Sequence, residues 1–309
     1  MIPASAPVSL EQLRTAFGNR LQENVPLAHY TTARVGGPSD GLLVANSAPE
    51  LEKFVRQLWA LQAPFAILGG GSNVLPSDQG YRGVVIINRA HTVKIDVRGT
   101  PPSVWAESGA NLGGIARQVA LRGLSGLEWA ANIPGSLGGA VYGNAGANER
   151  DIQGCLLLAE ILHRDSDRQN WTGDQMEYSY RSSLLKKQHA PAVILAARLQ
   201  LSQDTPEAVQ SRMEALNTHR RQSQPPGASM GSMFKNPEGD FAGRLIDAAG
   251  LKGLRVGDAE VSPVHANFFV NLGHAKATDI SALIEKAQQT VQRKFGVHLE
   301  LEIERLGEW

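Results

Sequence analysis

The chain has 309 residues, room for two or three domains with substantial cores. Lys plus Arg and Asp plus Glu each number 30, so the formal net charge is zero and no basic field advertises nucleic acid or an anionic membrane. Cys155 is the only cysteine, which excludes an internal disulfide and points to a reducing compartment. The opening MIPASAPVSL lacks the positive start and apolar core of a leader, and runs such as CLLLA are far too short to span a bilayer, so a soluble cytoplasmic protein is expected.

Residues 1–25 carry weak signals and read as a loosely packed arm. SAPELEKFVRQLWALQ predicts a helix. Ser47 is its N-cap, Glu50 completes a capping box, and Pro49 sits in the first turn. Leu51, Phe54, Val55, Leu58 and Leu61 would face a core. FAIL (65–68) and GVVIIN (83–88) read as buried strands on either side of a triple glycine. From Thr92 to Leu201 strands dominate, at 103–108, 155–162 and 192–201. One helix interrupts them, capped by Asn111 and ended at Gly123. GLEWAANIPGSLGGAVYGNAGAN has almost no period and reads as a long functional loop.

Thr205-Pro206-Glu207 opens a further helix to about Arg221, followed by the turn-rich QSQPPGASMGSMFKNPEGD. Helices are expected at 242–249, with Gly250 at the C-cap, and at 279–295, capped by Thr278 with Phe295 on the apolar face. NFFVN (267–271) reads as a strand. In VHLELEIERL, Leu299, Leu301 and Ile303 alternate with three glutamates, the pattern of a period-two strand. The division expected is 1–90, with 297–309 returning to it, then 91–202 and 203–296.

Two stretches gather small backbone donors. The first is Gly69, Gly70, Gly71, Ser72 and Asn73. It is neither a Walker A loop nor the spaced dinucleotide fingerprint, and a tight turn between strands is the plain alternative. The second is IPGSLGGAVYGNAGA. Two such loops suit an extended ligand with a diphosphate and a flat ring. Tyr142 either stacks on a ring or packs. Cys155 reads as inert core, and no Cys/His cluster has metal-ligand spacing, so no metal is expected.

The motifs YTTARVGGPSD (30–40), ILGGGSNVL (67–75), GLEWAANIPGSLGGAVYGNAGA (126–147), YSYRSS (178–183), GSMFKNP (231–237), AGRLIDAAGLKG (242–253) and HANFFVN (265–271) occur in this order. Together they resemble the UDP-N-acetylenolpyruvoylglucosamine reductases of peptidoglycan synthesis, in their shorter type II branch, over about residues 28–307. The resemblance implies an α+β protein. A two-part FAD-binding type-2 module, of the vanillyl-alcohol oxidase kind, would be joined by a third α+β substrate domain. It implies FAD and NADPH as cofactors, a UDP-sugar as substrate, and a monomer.

The chemistry implied is addition of hydride to an enolpyruvyl group. This puts charge on the substrate carboxylate and then needs a proton, so a cation, an acid and an orienting group are required. By resemblance, Arg181 and Glu302 stabilise the enolate-like intermediate and Ser232 donates the proton. Lys235 and Asn236 are candidates for substrate binding. Arg34, Gly69, Gly70, Gly71, Ser72, Asn73, Ile133, Pro134, Gly135, Ser136, Gly138, Gly139, Gly143 and Asn144 are expected to hold the cofactor. The chain departs from the family at Leu301, where proline is common, and at Glu304, where arginine is. His265 and Asn267 would line the substrate side, with His265 outside the catalytic set. The rival readings are a flavin oxidase of the vanillyl-alcohol type and a non-catalytic nucleotide-binding module.

Overall fold

The structure, a computed structural model, describes residues 8–309. The leader reading, as it concerns residues 1–7, lies outside the described residues. Eight α-helices are present among them: α1 (Leu10–Phe17), α2 (Ala48–Ala60), α3 (Leu112–Ala120), α4 (Leu137–Gly143), α5 (Leu184–Gln188), α6 (Pro206–Ser223), α7 (Ala242–Ala248) and α8 (Ala277–Phe295). The chain divides into two compact units, each discontinuous in sequence. One comprises the segment ending at Gln12, Leu43–Gly70 and Ile86–Arg220. The other comprises Leu13–Leu42, Gly71–Val85 and Arg221–Trp309.

The first unit is organised by an antiparallel five-stranded sheet. Its strands lie in the order Arg168–Trp171, Leu156–His163, Ala192–Gln200, Ser103–Glu107 and Val93–Asp96. Its core gathers Val104 and Ala106 with Ile115 and Val119 of α3 and Leu137 and Val141 of α4. The α2 prediction holds in detail. The Ser47 hydroxyl accepts the Glu50 N–H at 3.3 Å, the Glu50 carboxylate accepts the Asn46 N–H at 2.7 Å, and Leu51, Phe54, Val55 and Leu58 are buried. Leu61 is the half-buried C-cap. Buried Glu107 accepts the Ala48 N–H from α2 and the Thr92 N–H, both at 2.8 Å. Burial by itself would raise this carboxyl, but the two backbone donors outweigh it and hold it below the usual range.

Two expectations are corrected here. The glycine-rich stretch after Gly126 contains a 3-10 turn (Glu128–Ala130) and α4, because Ser136 caps the Gly139 N–H and Asn144 closes the helix in the left-handed conformation. FAIL is mostly half-buried, with only Leu68 inside.

The second unit is built around α7, α8 and a small sheet of Arg255–Val256, Ala259–Val261 and Phe269–Asn271. Met233, Phe234, Leu245, Ile246, Phe269, Ile280, Leu283 and Ile284 fill its core. Segment 8–25 is more ordered than expected: α1 buries Leu13 and Phe17, and Gln22–Pro26 pairs antiparallel with the chain from Pro38 to Leu42. Helix α8 starts at Ala277, two residues before the expected 279, because the Asp78 carboxylate accepts the Ala277 and Thr278 N–H groups at 2.8 and 2.9 Å. Phe295 is exposed at its far end. The C-terminal run is no continuous strand. Only Glu304–Leu306 pairs regularly, in parallel with Val74–Pro76, although Leu299 and Ile303 do point inward.

Candidate active site

In the first unit, the two glycine-rich stretches meet. A Cβ on Gly69 would lie 2.1 Å from Ser136 Oγ, and one on Gly70 would lie 3.1 Å from Gly135 Cα. Bare backbone at 69–70 is therefore demanded by loop-on-loop packing before any ligand is considered. Gly138 is likewise fixed by protein: its N–H donates to Ser108 O at 2.7 Å. Gly139 and Gly143 differ. They are one turn apart on α4. A Cβ at Gly143 would meet nothing within 4 Å, and one at Gly139 only Ser136 Oγ at 3.7 Å. Ile133 packs against the core and Pro134 is exposed.

The motif YSYRSS wraps the end of α4. Tyr178 Oη donates to Val141 O at 2.9 Å and Ser183 Oγ to Tyr142 O at 2.7 Å. Tyr178 is held protonated by burial, with Cys155 and Asp151 nearby. Ser179 and Ser182 exchange backbone hydrogen bonds at 3.1 Å, which closes a tight turn. Arg181 sits in that turn at φ 56°, its guanidinium over the Tyr180 ring and its Nη2 donating to Gly146 O at 2.7 Å. Asn144 is buried, with its amide committed to protein. Nδ2 donates to Asp151 Oδ2 and Ser179 O, and Oδ1 accepts the Gln153 N–H. Both ends of its side-chain amide are thus engaged by protein. Cys155 lies in the turn before its strand, and burial pushes its thiol up to about 12.

The second unit holds Gly71, Ser72, Asn73, Arg34 and the GSMFKNP loop. Gly71 has φ 59°, and a Cβ there would lie 1.9 Å from Tyr30 O, so no other residue fits. Its carbonyl accepts the Thr32 N–H at 3.0 Å, and Arg34 follows, exposed, at φ 56°. Asn73 Nδ2 donates to Glu302 O at 3.1 Å, and Asn73 O accepts the Glu304 N–H at 2.9 Å. The Glu302 N–H in turn donates to Met233 O at 3.0 Å. Ser232 and Glu302, 70 positions apart in sequence, are thus brought together by backbone pairing. Arg181 belongs to the first unit.

Lys235 is paired with Glu300 at 2.5 Å, and Asn236 Oδ1 accepts the Ala242 N–H at the start of α7. His265 Nδ1 accepts the Asn267 N–H at 3.2 Å, and burial holds the imidazole below its usual value. Sequence reasoning missed what Asn267 does. Its Oδ1 accepts the Phe234 N–H and its Nδ2 donates to Phe234 O, at 2.9 and 2.8 Å. The only signal was its place in HANFFVN. No helix among the described residues is long and apolar enough to cross a membrane, and no group of three His, Cys, Asp or Glu among them could hold a metal.

Fold and site together define a flavin-dependent oxidoreductase with an FAD-binding module of type 2. Residues 39–165 match the family described as FAD binding domain, and residues 222–306 match "UDP-N-acetylenolpyruvoylglucosamine reductase, C-terminal domain". The UDP-N-acetylenolpyruvoylglucosamine reductase of Chloroflexus aggregans is 43% identical over 288 residues, 92% of this chain and 96% of that protein. That of Bacillus subtilis is 37% identical over 299 residues, 96% and 98%. The crystal structure of the reductase from Thermus caldophilus superposes with a TM-score of 0.78 at 37% identity, covering 93% of this chain and 99% of the other. The chain belongs to the UDP-N-acetylenolpyruvoylglucosamine reductase family.

Proposed function

We propose that the protein reduces UDP-N-acetylglucosamine enolpyruvate to UDP-N-acetylmuramate with NADPH, in the cytoplasm and as a monomer, during peptidoglycan precursor synthesis. Bound FAD would supply the two-electron chemistry between NADPH and the enolpyruvyl group. The residues present fit such a group. Gly139 and Gly143 leave a strip of α4 where no protein atom needs the space, and Gly70 and Gly135 bring two bare main chains side by side. Gly69–Asn73, Ile133–Ser136, Gly138, Gly139, Gly143 and Arg34 would hold the cofactor, Gly69 and Gly138 by shaping its loops. We assign residues 1–90 and 91–202 to the cofactor and 203–296 to the substrate.

Arg181, whose planar guanidinium can meet a carboxylate at two points, would counter the charge that develops in the enolpyruvyl group. Ser232 would deliver a proton to the adjacent carbon, and Glu302 would join Arg181 in stabilising the enolate-like intermediate or orient the relay to Ser232. A serine hydroxyl is a weak acid, so this step needs a neighbour held in place and water kept away. The observation that carries the reading is the pairing that sets Glu302 against Met233, next to Ser232. Lys235 and Asn236 follow Ser232 on one loop and would meet the substrate's anionic groups.

The test is Ser232→Ala. NADPH should still bleach the flavin while product formation falls by roughly 100-fold or more. Unchanged turnover would remove Ser232 from the chemistry and undo the assignment.

A further inference from the structure

The segment that carries Ser232 is short, makes only isolated bridges and has little sequence of its own to keep it straight. Residues 231–237, GSMFKNP, include a glycine at φ 79° and end on a proline. Something else must hold the segment. On one side its neighbours are Glu300, Leu301 and Glu302. Phe234 bridges Leu301, the Lys235 N–H donates to Glu300 O at 2.9 Å, and the Glu302 N–H donates to Met233 O. On the other side Ser232 bridges Phe268, and the Met233 N–H donates to Asn267 O at 2.8 Å. There the regular pairing stops, and a side chain takes over. The Asn267 carboxamide, 3% exposed, closes on both polar groups of the Phe234 main chain.

A primary amide carries an acceptor and a donor side by side at every pH, spaced like a peptide edge. Asn267 thereby does for Phe234 what a further strand residue would do. It also fixes the direction in which the chain enters and leaves Met233. We propose that Asn267 is a positioning residue for the proton-transfer step: its carboxamide clamp on Phe234 sets where the Ser232 hydroxyl stands relative to Glu302. This rests on the reading of Ser232 as proton donor. Asn267 acts through the segment and needs no contact with substrate.

The consequence is a split between half-reactions. Bleaching of the flavin by NADPH does not use Ser232, whereas re-oxidation by the enolpyruvyl substrate does. In FAD-loaded Asn267→Leu, a change that keeps the branched shape and the number of heavy atoms but neither hydrogen bond, bleaching should stay within about twofold of wild type. Re-oxidation should fall on the order of 100-fold, as expected when a reacting group is displaced by about 1 Å. Amide exchange in residues 232–236 should quicken at the same time. Re-oxidation at the wild-type rate, or an equal fall in both half-reactions, overturns the proposal.

Should the leucine variant fail to fold, Asn267→Asp decides. When protonated, its carboxyl offers one acceptor and one O–H donor and can rebuild both bonds to Phe234. When ionised, it sets a negative oxygen against the Phe234 carbonyl. The ratio of its re-oxidation rate to that of wild type should therefore climb as the pH falls. Glu300 and Glu302 on the flanking segment, Lys235 on the clamped one, and His265 with Lys252 behind it are the same in both proteins, so the ratio to wild type isolates the added carboxyl. A ratio flat with pH rejects the clamp. Ser232→Ala in parallel separates the two ideas. If it is slow while Asn267→Leu is fast, the clamp falls and the donor assignment stands. If it re-oxidises normally, the donor assignment falls and the clamp has nothing to position.

Discussion

Replacing Gly69 by alanine tests why the first glycine stretch is bare. The added methyl would stand 2.1 Å from Ser136 Oγ and 2.7 Å from Ser136 Cβ, and the next atom, Ser136 N, is 3.8 Å away. Gly69 does not adopt a positive φ, so the substitution brings no backbone strain, and the whole cost is that contact. Forcing a methyl into a packed site costs about 1–3 kcal/mol. Ser136→Gly removes both offending atoms. On its own it weakens the α4 cap by only a few tenths of a kcal/mol, roughly, because glycine is tolerated at that position. In the Ser136→Gly background, Gly69→Ala should therefore be close to neutral, or stabilising by up to about 1 kcal/mol from reduced chain entropy. The coupling between the two sites is then about 1–3 kcal/mol, well above the scatter of additive pairs. Urea unfolding of the four proteins, each without and with added FAD, reads this directly. If Gly69→Ala is equally damaging in both backgrounds without FAD, loop packing is not the reason for the glycine and the argument from Ser136 is wrong.

The charge state of Glu107 gives a pH prediction. Its folded value lies below that of the unfolded chain, so its contribution is complete above the unfolded value, about 4.3, and drains away as the pH falls through the folded one. The stability difference between wild type and Glu107→Gln should shrink on going from about pH 5 to about pH 3; a constant difference in urea titrations across that window rejects the assignment. Asn144→Ala should destabilise by about 1–3 kcal/mol, since it removes the partner of the part-buried Gln153 N–H and Ser179 O. Asn144→Gly should cost about 1 kcal/mol less, because φ is 47° there and glycine carries no Cβ penalty. Equal melting temperatures for the two variants would show that the left-handed cap is not strained.

What the sequence determined by itself was local. The starts of α2 and α3 were legible because their caps are bonds across three residues, from Ser47 to Glu50 and from Asn111 to Gly114, and such bonds need no knowledge of the rest of the chain. Strand positions followed from apolar runs, and the order of seven motifs pointed to the family. Tertiary structure decided the rest. Only it could set Asp78 at the head of α8, 199 positions away from Ala277, and so start that helix earlier than Thr278 suggested. Only it could join YSYRSS to the end of α4, commit Asn144 to protein partners, lay Gly69 on Ser136, and close Asn267 on Phe234. The physical reason is common to all of these. A buried polar group must find a partner, sequence shows that the group exists, and topology alone selects which distant residue supplies the other half.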